Sequence, residues 1–191
     1  MCLVFGNLKL YLIAMARIPL ILSALLLFSC KSRKPLSTVQ NLDLQQYEGT
    51  WYEIAKLPNS FEKDLTCVSA TYTIKENGKI EVFNTGKKTN GEQVWKTIKG
   101  TATVPDKSQP GRLKVTFFWP FAGDYYVIDV AQVYSYALVG SPNRRYLWIL
   151  ARTRALDETI YAQLVKLANE KGFPIDKIEA MDQSCEIQKE E

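Results

Sequence analysis

Among the residues of this 191-residue chain that could carry chemistry are four cysteines, and histidine is absent. Without histidine there is no Ser-His or Cys-His nucleophile pair, and the commonest general base and metal ligand are missing. Most hydrolase mechanisms are therefore excluded, and we expect neither a metal ion nor a cofactor. Cys2 and Cys30 lie in an apolar N-terminal stretch, whereas Cys67 and Cys185 lie far apart in the rest of the chain.

The stretch that ends at Cys30 has the composition of an export signal. Arg17 is followed by about a dozen mostly apolar residues, a run that is too short to span a bilayer comfortably. Residues 27–30 (Leu-Phe-Ser-Cys) resemble the bacterial lipobox, which implies that Cys30 carries an N-palmitoyl and an S-diacylglycerol group after cleavage. Residues 1–29 would then be a lipoprotein signal peptide, with Met15 as a possible true start.

Two alternatives for this stretch stay open: a continuous membrane anchor that starts near Leu8, and a plain secretory signal in which Cys30 is unmodified. Three acyl chains would anchor the protein stably, since each buried methylene contributes about 0.8 kcal/mol. In lipobox proteins a residue such as Lys31 after the cysteine implies the outer membrane, and we expect its periplasmic face. Residues 30–44 are mostly polar, contain Pro35 and lack periodicity, which predicts a flexible, lipidated tether.

The remaining chain has a nearly balanced charge. Of the 24 basic residues in the chain, Lys9 and Arg17 lie in the leader, which leaves 22 against 20 acidic residues. This balance gives no case for a nucleic-acid partner. About 160 residues remain after the leader, which suits one domain with a single core.

Beyond residue 49, short runs rich in β-branched and aromatic residues alternate with turn signals, as in antiparallel sandwiches and barrels. Eight strands close a barrel around one small ligand. An amphipathic helix at 158–171, between an N-cap at Asp157 and Gly172, should cover an outer wall. We therefore predict an all-β fold, an eight-stranded antiparallel up-and-down β-barrel with one C-terminal helix outside and a last short strand at 177–181 beside the first. The eight strands are predicted at 50–57, 67–75, 79–87, 93–104, 112–118, 125–131, 134–141 and 145–152.

The start of the first predicted strand and the end of the eighth resemble the lipocalin family. Gly49 and Trp51 form a Gly-x-Trp signature, in which the glycine permits a bent entry and the indole plugs one end of the barrel. Arg152 follows about a hundred residues later, and in lipocalins the arginine at this position stacks over the signature tryptophan. Such a shielded cation–π contact is worth about 1–2 kcal/mol. The resemblance thus implies a barrel closed at one end.

Two further features bear on this resemblance. The third family signature, Thr-Asp-Tyr, is replaced by residues 131–134, which puts the usual hydrogen bonding of that loop in doubt. Cys67 and Cys185 match the disulfide of apolipoprotein D-like lipocalins, and an exported protein would keep such a bridge. The alternative is a reactive Cys67 thiol. The resemblance is strongest to bacterial outer-membrane lipocalins and implies a lipocalin domain at 45–185 with a C-terminal tail at 186–191.

Strand alternation and the similarity to apolipoprotein D together predict a ligand pocket inside the barrel. If Trp51 faces inward, Glu53 and Ala55 do so too. The other inward side chains are mainly apolar and aromatic with a few polar groups, the usual composition of a small-molecule pocket. The predicted pocket residues are Tyr72, Val82, Asn84, Val115, Phe117 and Trp148.

The resemblance implies a lipid carrier without catalysis that stores or transports fatty acids or lysophospholipids for membrane maintenance. An acyl tail would be buried at about 25 cal/mol per Å², while a charged head stays near the open end. Lys87, Lys88 and Lys96 could favour an anionic head, although lysines at strand ends are usually solvated. The apolar loop at 119–123 should lie at the rim and contact a membrane or a second copy in a homodimer.

Three other functions stay open at this point: a carrier of a tetrapyrrole or pigment, a lipocalin-type enzyme that uses Cys67 or Glu53, and a structural lipoprotein with a filled interior.

Overall fold

The strands of the protein form one closed antiparallel barrel. The computed structural model describes residues 34–89 and 94–185, so Cys30, the signal peptide and the 186–191 tail lie outside the described residues. The sheet order is β2-β3-β4-β5-β6-β7-β8-β1, and β2 pairs again with β1 to close the circle. This confirms the predicted eight-stranded up-and-down barrel. The strands are β1 Gly49–Lys56, β2 Leu65–Ile74, β3 Ile80–Lys88, β4 Trp95–Thr103, β5 Arg112–Phe118, β6 Phe121–Val130, β7 Tyr136–Gly140, β8 Leu147–Ala151 and β9 Glu179–Ala180.

The helix outside the barrel begins and ends as its capping residues predict. A short helix, α1 (Leu44–Tyr47), precedes β1, and the long helix is α2 (Glu158–Glu170). The Asp157 carboxylate accepts hydrogen bonds from the first turn of α2. Leu164 and Ala168 of α2 are buried against the outer barrel wall in one apolar cluster.

The barrel therefore separates two apolar cores, one inside it and one under α2. Trp51 belongs to the inner core, as predicted. Ala55 belongs to the outer core, so its predicted inward orientation is wrong. The pairing of β1 with β8 shifts register between Glu53 and Ala55, and this β-bulge reverses the alternation of side chains.

Part of the predicted tether is packed and is not flexible. Leu36 and Leu42 are buried, and Val39 N–H donates to the carbonyl of Val127 on β6. The compact unit that contains the barrel begins at Pro35. The later part of the predicted tether thus packs on the barrel through its apolar residues, whereas residues 30–33 lie outside the described residues and a flexible tether there stays a prediction.

The hairpin between β5 and β6 is tighter than predicted. β6 begins at Phe121 and not near residue 125, and Phe121 pairs with Phe118 across a turn formed by Trp119 and Pro120. The predicted rim loop at 119–123 is therefore mostly strand. Pairing with β5 outweighs the weak strand propensity of Ala122 and Gly123.

The C-terminal segment completes the barrel wall. β1 pairs with β2 only from Gly49 to Tyr52, and further along β1 the short strand β9 takes the place of β2. The Gln183 side-chain amide then bridges the two strands by donating to the carbonyls of Glu53 and Val68. The predicted pairing of the last strand with β1 is thus confirmed, although the strand is shorter than predicted.

The predicted disulfide between Cys67 and Cys185 is present, so Cys67 is not a free thiol. It ties the C-terminal segment to β2 two residues after Gln183. In the described ranges, no helix is both long enough and apolar enough to cross a bilayer.

Candidate ligand cavity

The interior of the barrel is closed at one end and open at the other. We call the end near Trp51 the floor, and the end where β1, β3, β5 and β7 finish the mouth. On three strands the inner residue nearer the floor is buried and the next inner residue towards the mouth is half-buried. These pairs are Val82 and Asn84 on β3, Leu113 and Val115 on β5, and Leu150 and Trp148 on β8. Solvent therefore reaches the inner wall on the mouth side of these three strands, whereas the inner residues of β1 stay buried up to Lys56.

The six predicted pocket residues lie on the inner wall. Tyr72 and Val82 are part of the buried inner core, and Val115, Phe117 and Trp148 pack against it. Asn84 shares the inner face of β3 with Val82, and its Oδ1 atom is buried without a hydrogen-bond partner among the described residues. The structure thus brings these residues together around one space, and their contact with a ligand stays a prediction.

The floor is closed by the residues of the Gly-x-Trp signature and by Arg152. The guanidinium carbon of Arg152 lies 3.9 Å from the centroid of the Trp51 ring, and Trp51 is fully buried. Arg152 also donates hydrogen bonds to four backbone carbonyls, those of Gln46, Glu48, Thr50 and Tyr134. Gly49 has φ +97°, a conformation that side chains disfavour, and a Cβ atom there would lie 3.3 Å from Arg152 Nη1.

Tyr134 compensates for the degenerate third signature. Its backbone has φ +55°, its carbonyl accepts from Arg152, and its hydroxyl accepts a 2.8 Å hydrogen bond from Asp43 N–H. The loop is therefore tied both to Arg152 and to the segment that precedes α1. The sequence offered no signal for this role, because it depends on how the N-terminal segment crosses the floor.

Three tyrosines that meet in the inner core include two that were not predicted. The Tyr125 hydroxyl lies 2.8 Å from the hydroxyls of both Tyr47 and Tyr72. Burial raises the pKa of all three tyrosines, so they stay protonated at neutral pH. Alternation along β6 places Tyr125 on the same face as Val127 and could have identified it, whereas Tyr47 lies on the unpredicted helix α1.

A buried cluster of charges lies along the inner side of β1 between Trp51 and the mouth. The Lys56 ammonium lies 3.5 Å from Glu53 Oε1 and 3.2 Å from Glu62 Oε2, and the Trp148 indole N–H donates to the Glu62 carboxylate. Burial, followed by the nearby Glu62 charge, raises the pKa of Glu53 well above its usual value. Glu53 faces inward as predicted. Lys56 and Glu62 were not predicted, because lysine and glutamate at a strand end and in a loop are usually solvated.

The mouth carries lysines and exposed aromatic residues. Strand alternation and the β3–β4 register place Lys88 and Lys96 on the inner side of the mouth and Lys87 on the outer side, so Lys87 does not point towards a ligand. At the tip of the β5–β6 hairpin, Trp119 is 89% exposed, Phe121 78% and Phe118 70%. Trp119 and Phe121 thus lie at the rim as predicted, and Phe118, at the end of β5, lies beside them.

A closed floor, an apolar inner wall and an open upper half are the features of a protein that binds one small hydrophobic molecule. The comparisons with known proteins agree with this class. A lipocalin-like domain model matches residues 42–183, and the chain belongs to the lipocalin family. The predicted resemblance is therefore confirmed.

Two relatives and one solved structure illustrate the similarity. The outer membrane lipoprotein Blc of Vibrio cholerae is 39% identical over 170 residues, which cover 86% of this chain and 96% of that protein. Apolipoprotein D of Bos taurus is 33% identical over 151 residues, or 75% of this chain and 78% of that protein. The crystal structure of the cockroach allergen Per a 4 superposes with a TM-score of 0.63 at 27% identity and covers 80% of this chain and 96% of that one.

Proposed function

We propose that this protein is a membrane-tethered carrier that stores or transports a fatty acid or lysophospholipid for membrane maintenance, without catalysis. The observation that carries the proposal is the inner wall, which is apolar near the floor and open towards the mouth. A single acyl chain suits such a space, and ten buried methylenes would contribute about 8 kcal/mol.

Two observations support a site of action at the bacterial outer membrane. The relatives in Vibrio cholerae and Citrobacter freundii are named outer membrane lipoproteins, and the lipobox at residues 27–30 would attach acyl chains to Cys30. The Cys67–Cys185 disulfide is typical of an oxidising compartment such as the periplasm. We therefore propose a lipid-anchored protein on the periplasmic face of that membrane.

The exposed apolar tip of the β5–β6 hairpin supports loading at a lipid surface. Phe118, Trp119 and Phe121 project beside the mouth, and exposed apolar patches of this kind mark interaction sites. A guest that leaves the bilayer beside this tip would reach the cavity with little exposure to water. Pairing of two copies through the same tip, as a homodimer, is the competing use of this surface.

We propose that the protein is not an enzyme because of the environments of Cys67 and Glu53, the two groups considered for catalysis. Cys67 is held in the disulfide and offers no thiolate. Glu53 is held in a buried cluster with Lys56 and Glu62, with the Lys56 ammonium 3.5 Å from its Oε1. We therefore assign the interior to binding alone.

A cavity-filling variant tests the proposal. We expect the wild type to bind palmitate or lysophosphatidylethanolamine with one-to-one stoichiometry in a fluorescence titration. Val115→Trp should weaken binding at least tenfold, because the new indole would occupy the open part of the interior. Thr116→Trp, on the opposite face of β5, is the matched control and should bind like the wild type. Equal binding by both variants would contradict an interior site.

A further inference from the structure

The tyrosine cluster inside the barrel contains one more hydroxyl proton than the hydrogen bonds within it use. The hydroxyls of Tyr47, Tyr72 and Tyr125 contain three protons, and the two hydrogen bonds among them use only two. Among the residues described by the structure, the three hydroxyls have no other hydrogen-bond partner. Buried donors are almost always paired, so the third proton is available to a partner from outside the chain, which is water in the empty barrel and a polar atom of the guest in the loaded one.

The exposure of the three hydroxyls favours Tyr125 as this donor, although either hydroxyl can donate in the Tyr47–Tyr125 hydrogen bond. Tyr125 is the central member, and Tyr72 donates to it. Tyr47 and Tyr72 are buried, whereas Tyr125 is half-buried, and its ring lies beside Trp148 on the way to the mouth. If Tyr47 also donates to Tyr125, the Tyr125 proton is free to point into the open part of the cavity. A hydroxyl that accepts two hydrogen bonds is polarised and becomes a stronger donor.

Asn84 is an independent sign that the interior is built for a guest with a polar atom. Its Oδ1 atom is buried without a hydrogen-bond partner among the described residues. Asn84 pairs with Ala70, and Val82 pairs with Tyr72, so Asn84 and Tyr72 are diagonal neighbours about 7–8 Å apart. A pure hydrocarbon guest would leave both the tyrosine proton and the Asn84 oxygen unpaired, which is unfavourable in a buried site. A carbonyl oxygen would pair only the tyrosine proton, because the Asn84 oxygen is an acceptor and needs the O–H of a hydroxyl or an un-ionised carboxyl group.

We propose that the tyrosine cluster is an oxygen-binding subsite, in which the Tyr125 hydroxyl donates to an uncharged oxygen at the inner end of the guest. The inference rests on the proposed function and narrows it. A carbonyl, a hydroxyl or an un-ionised carboxyl group fits the subsite, whereas an ionised carboxylate there would be costly to desolvate. A fatty acid would then enter with its carboxyl group first, the reverse of the orientation expected from the sequence, in which the head stays near the open end. The methyl end of a lysophospholipid tail would leave the donor unpaired.

A pair of probes that differ only in the acceptor atom tests this subsite. Decan-2-one presents a carbonyl oxygen, and 2-methyldec-1-ene replaces that oxygen by a methylene of similar shape. Affinities of both probes are measured by displacement of a fluorescent fatty acid from the wild type, Tyr125→Phe and Tyr126→Phe. Tyr126 is the matched control, because it lies next to Tyr125 but packs in the outer core.

We expect the ratio of ketone affinity to alkene affinity to fall about three- to tenfold in Tyr125→Phe, the effect of one hydrogen bond. The ratio should be unchanged in Tyr126→Phe. An equal ratio in all three proteins, with both probes bound, would overturn the subsite but leave the proposed function intact. Failure of the wild type to bind either probe or the fluorescent fatty acid would overturn both.

If Tyr125→Phe does not fold, a measurement on the wild type alone tests the oxygen-binding subsite. The infrared carbonyl stretch of bound decan-2-one should lie below its frequency in a hydrocarbon solvent, because a hydrogen bond weakens the C=O bond. A stretch at the hydrocarbon frequency would show that no donor reaches the oxygen and would overturn the subsite.

Discussion

Glu53 illustrates how the barrel tolerates a charged side chain in an apolar interior. Its carboxylate is buried, with the Lys56 ammonium 3.5 Å away. Lys56 is shared with Glu62, so one cation serves two carboxylates. Removing two negative charges from water for one positive charge is unfavourable, and a proton on Glu53 relieves the imbalance.

This imbalance predicts a pH dependence of stability. Burial raises the pKa of Glu53 in the folded protein above its usual value of 4.5, so the folded state holds the proton more tightly than the unfolded chain does. The stabilisation from that proton is therefore complete below pH 4.5 and is lost as the pH rises through the raised pKa. Glu53→Gln should gain free energy of unfolding relative to the wild type between pH 4.5 and 8, as measured by urea denaturation. A difference between the two proteins that stays constant over this range would contradict the assignment.

Single residues could be predicted from the sequence where a fixed spacing carries the signal. Trp51 lies near the start of the first barrel strand and Arg152 directly after the eighth, and the two side chains stack as predicted. Glu62 was missed because its burial depends on the fold of the β1–β2 connection, which carries no periodic pattern. Tyr134 was missed because its partner Asp43 lies in a segment that looked polar and flexible.

The strands were predictable as elements, whereas their irregularities were not. Alternation of apolar residues indicated all eight strands, but the β-bulge between Glu53 and Ala55 arises from pairing with β8 and has no local signal. The docking of residues 36–42 likewise has no local signal, because it depends on contacts with residues that are distant in the sequence, such as Val127 on β6. The role of Gln183 as a bridge between β1 and β2 could likewise not be read from the chain.

The tip of the β5–β6 hairpin leads to a prediction about membrane binding. In a Cys30→Ser background, which removes the proposed anchor, Phe121→Ser should reduce co-sedimentation with phospholipid vesicles several-fold, because Phe121 is 78% exposed beside the mouth. Val133→Ser is the matched control, since Val133 is 80% exposed on the β6–β7 loop at the opposite end. If both variants sediment like their parent, the tip does not bind lipid. If Phe121→Ser instead converts a dimer to a monomer in light scattering, the tip is a dimer interface.

In the whole barrel, the closed floor and the wall completed by the C-terminal segment leave one open end, the mouth. The Cys67–Cys185 bridge spans 118 residues, and a loop of this length stabilises the fold by about 4–5 kcal/mol in the chain-entropy model. The same bridge holds the segment that fills the space between β1 and β2. Stability and closure of the cavity therefore depend on the same covalent link.

The most direct test of the carrier function is native mass spectrometry of the protein extracted from its own membrane. We predict a complex with one single-chain lipid per barrel, which dissociates on collisional activation to leave the acylated protein. A protein that carries no guest after extraction, and that takes up neither palmitate nor lysophospholipid when they are added, would contradict the account.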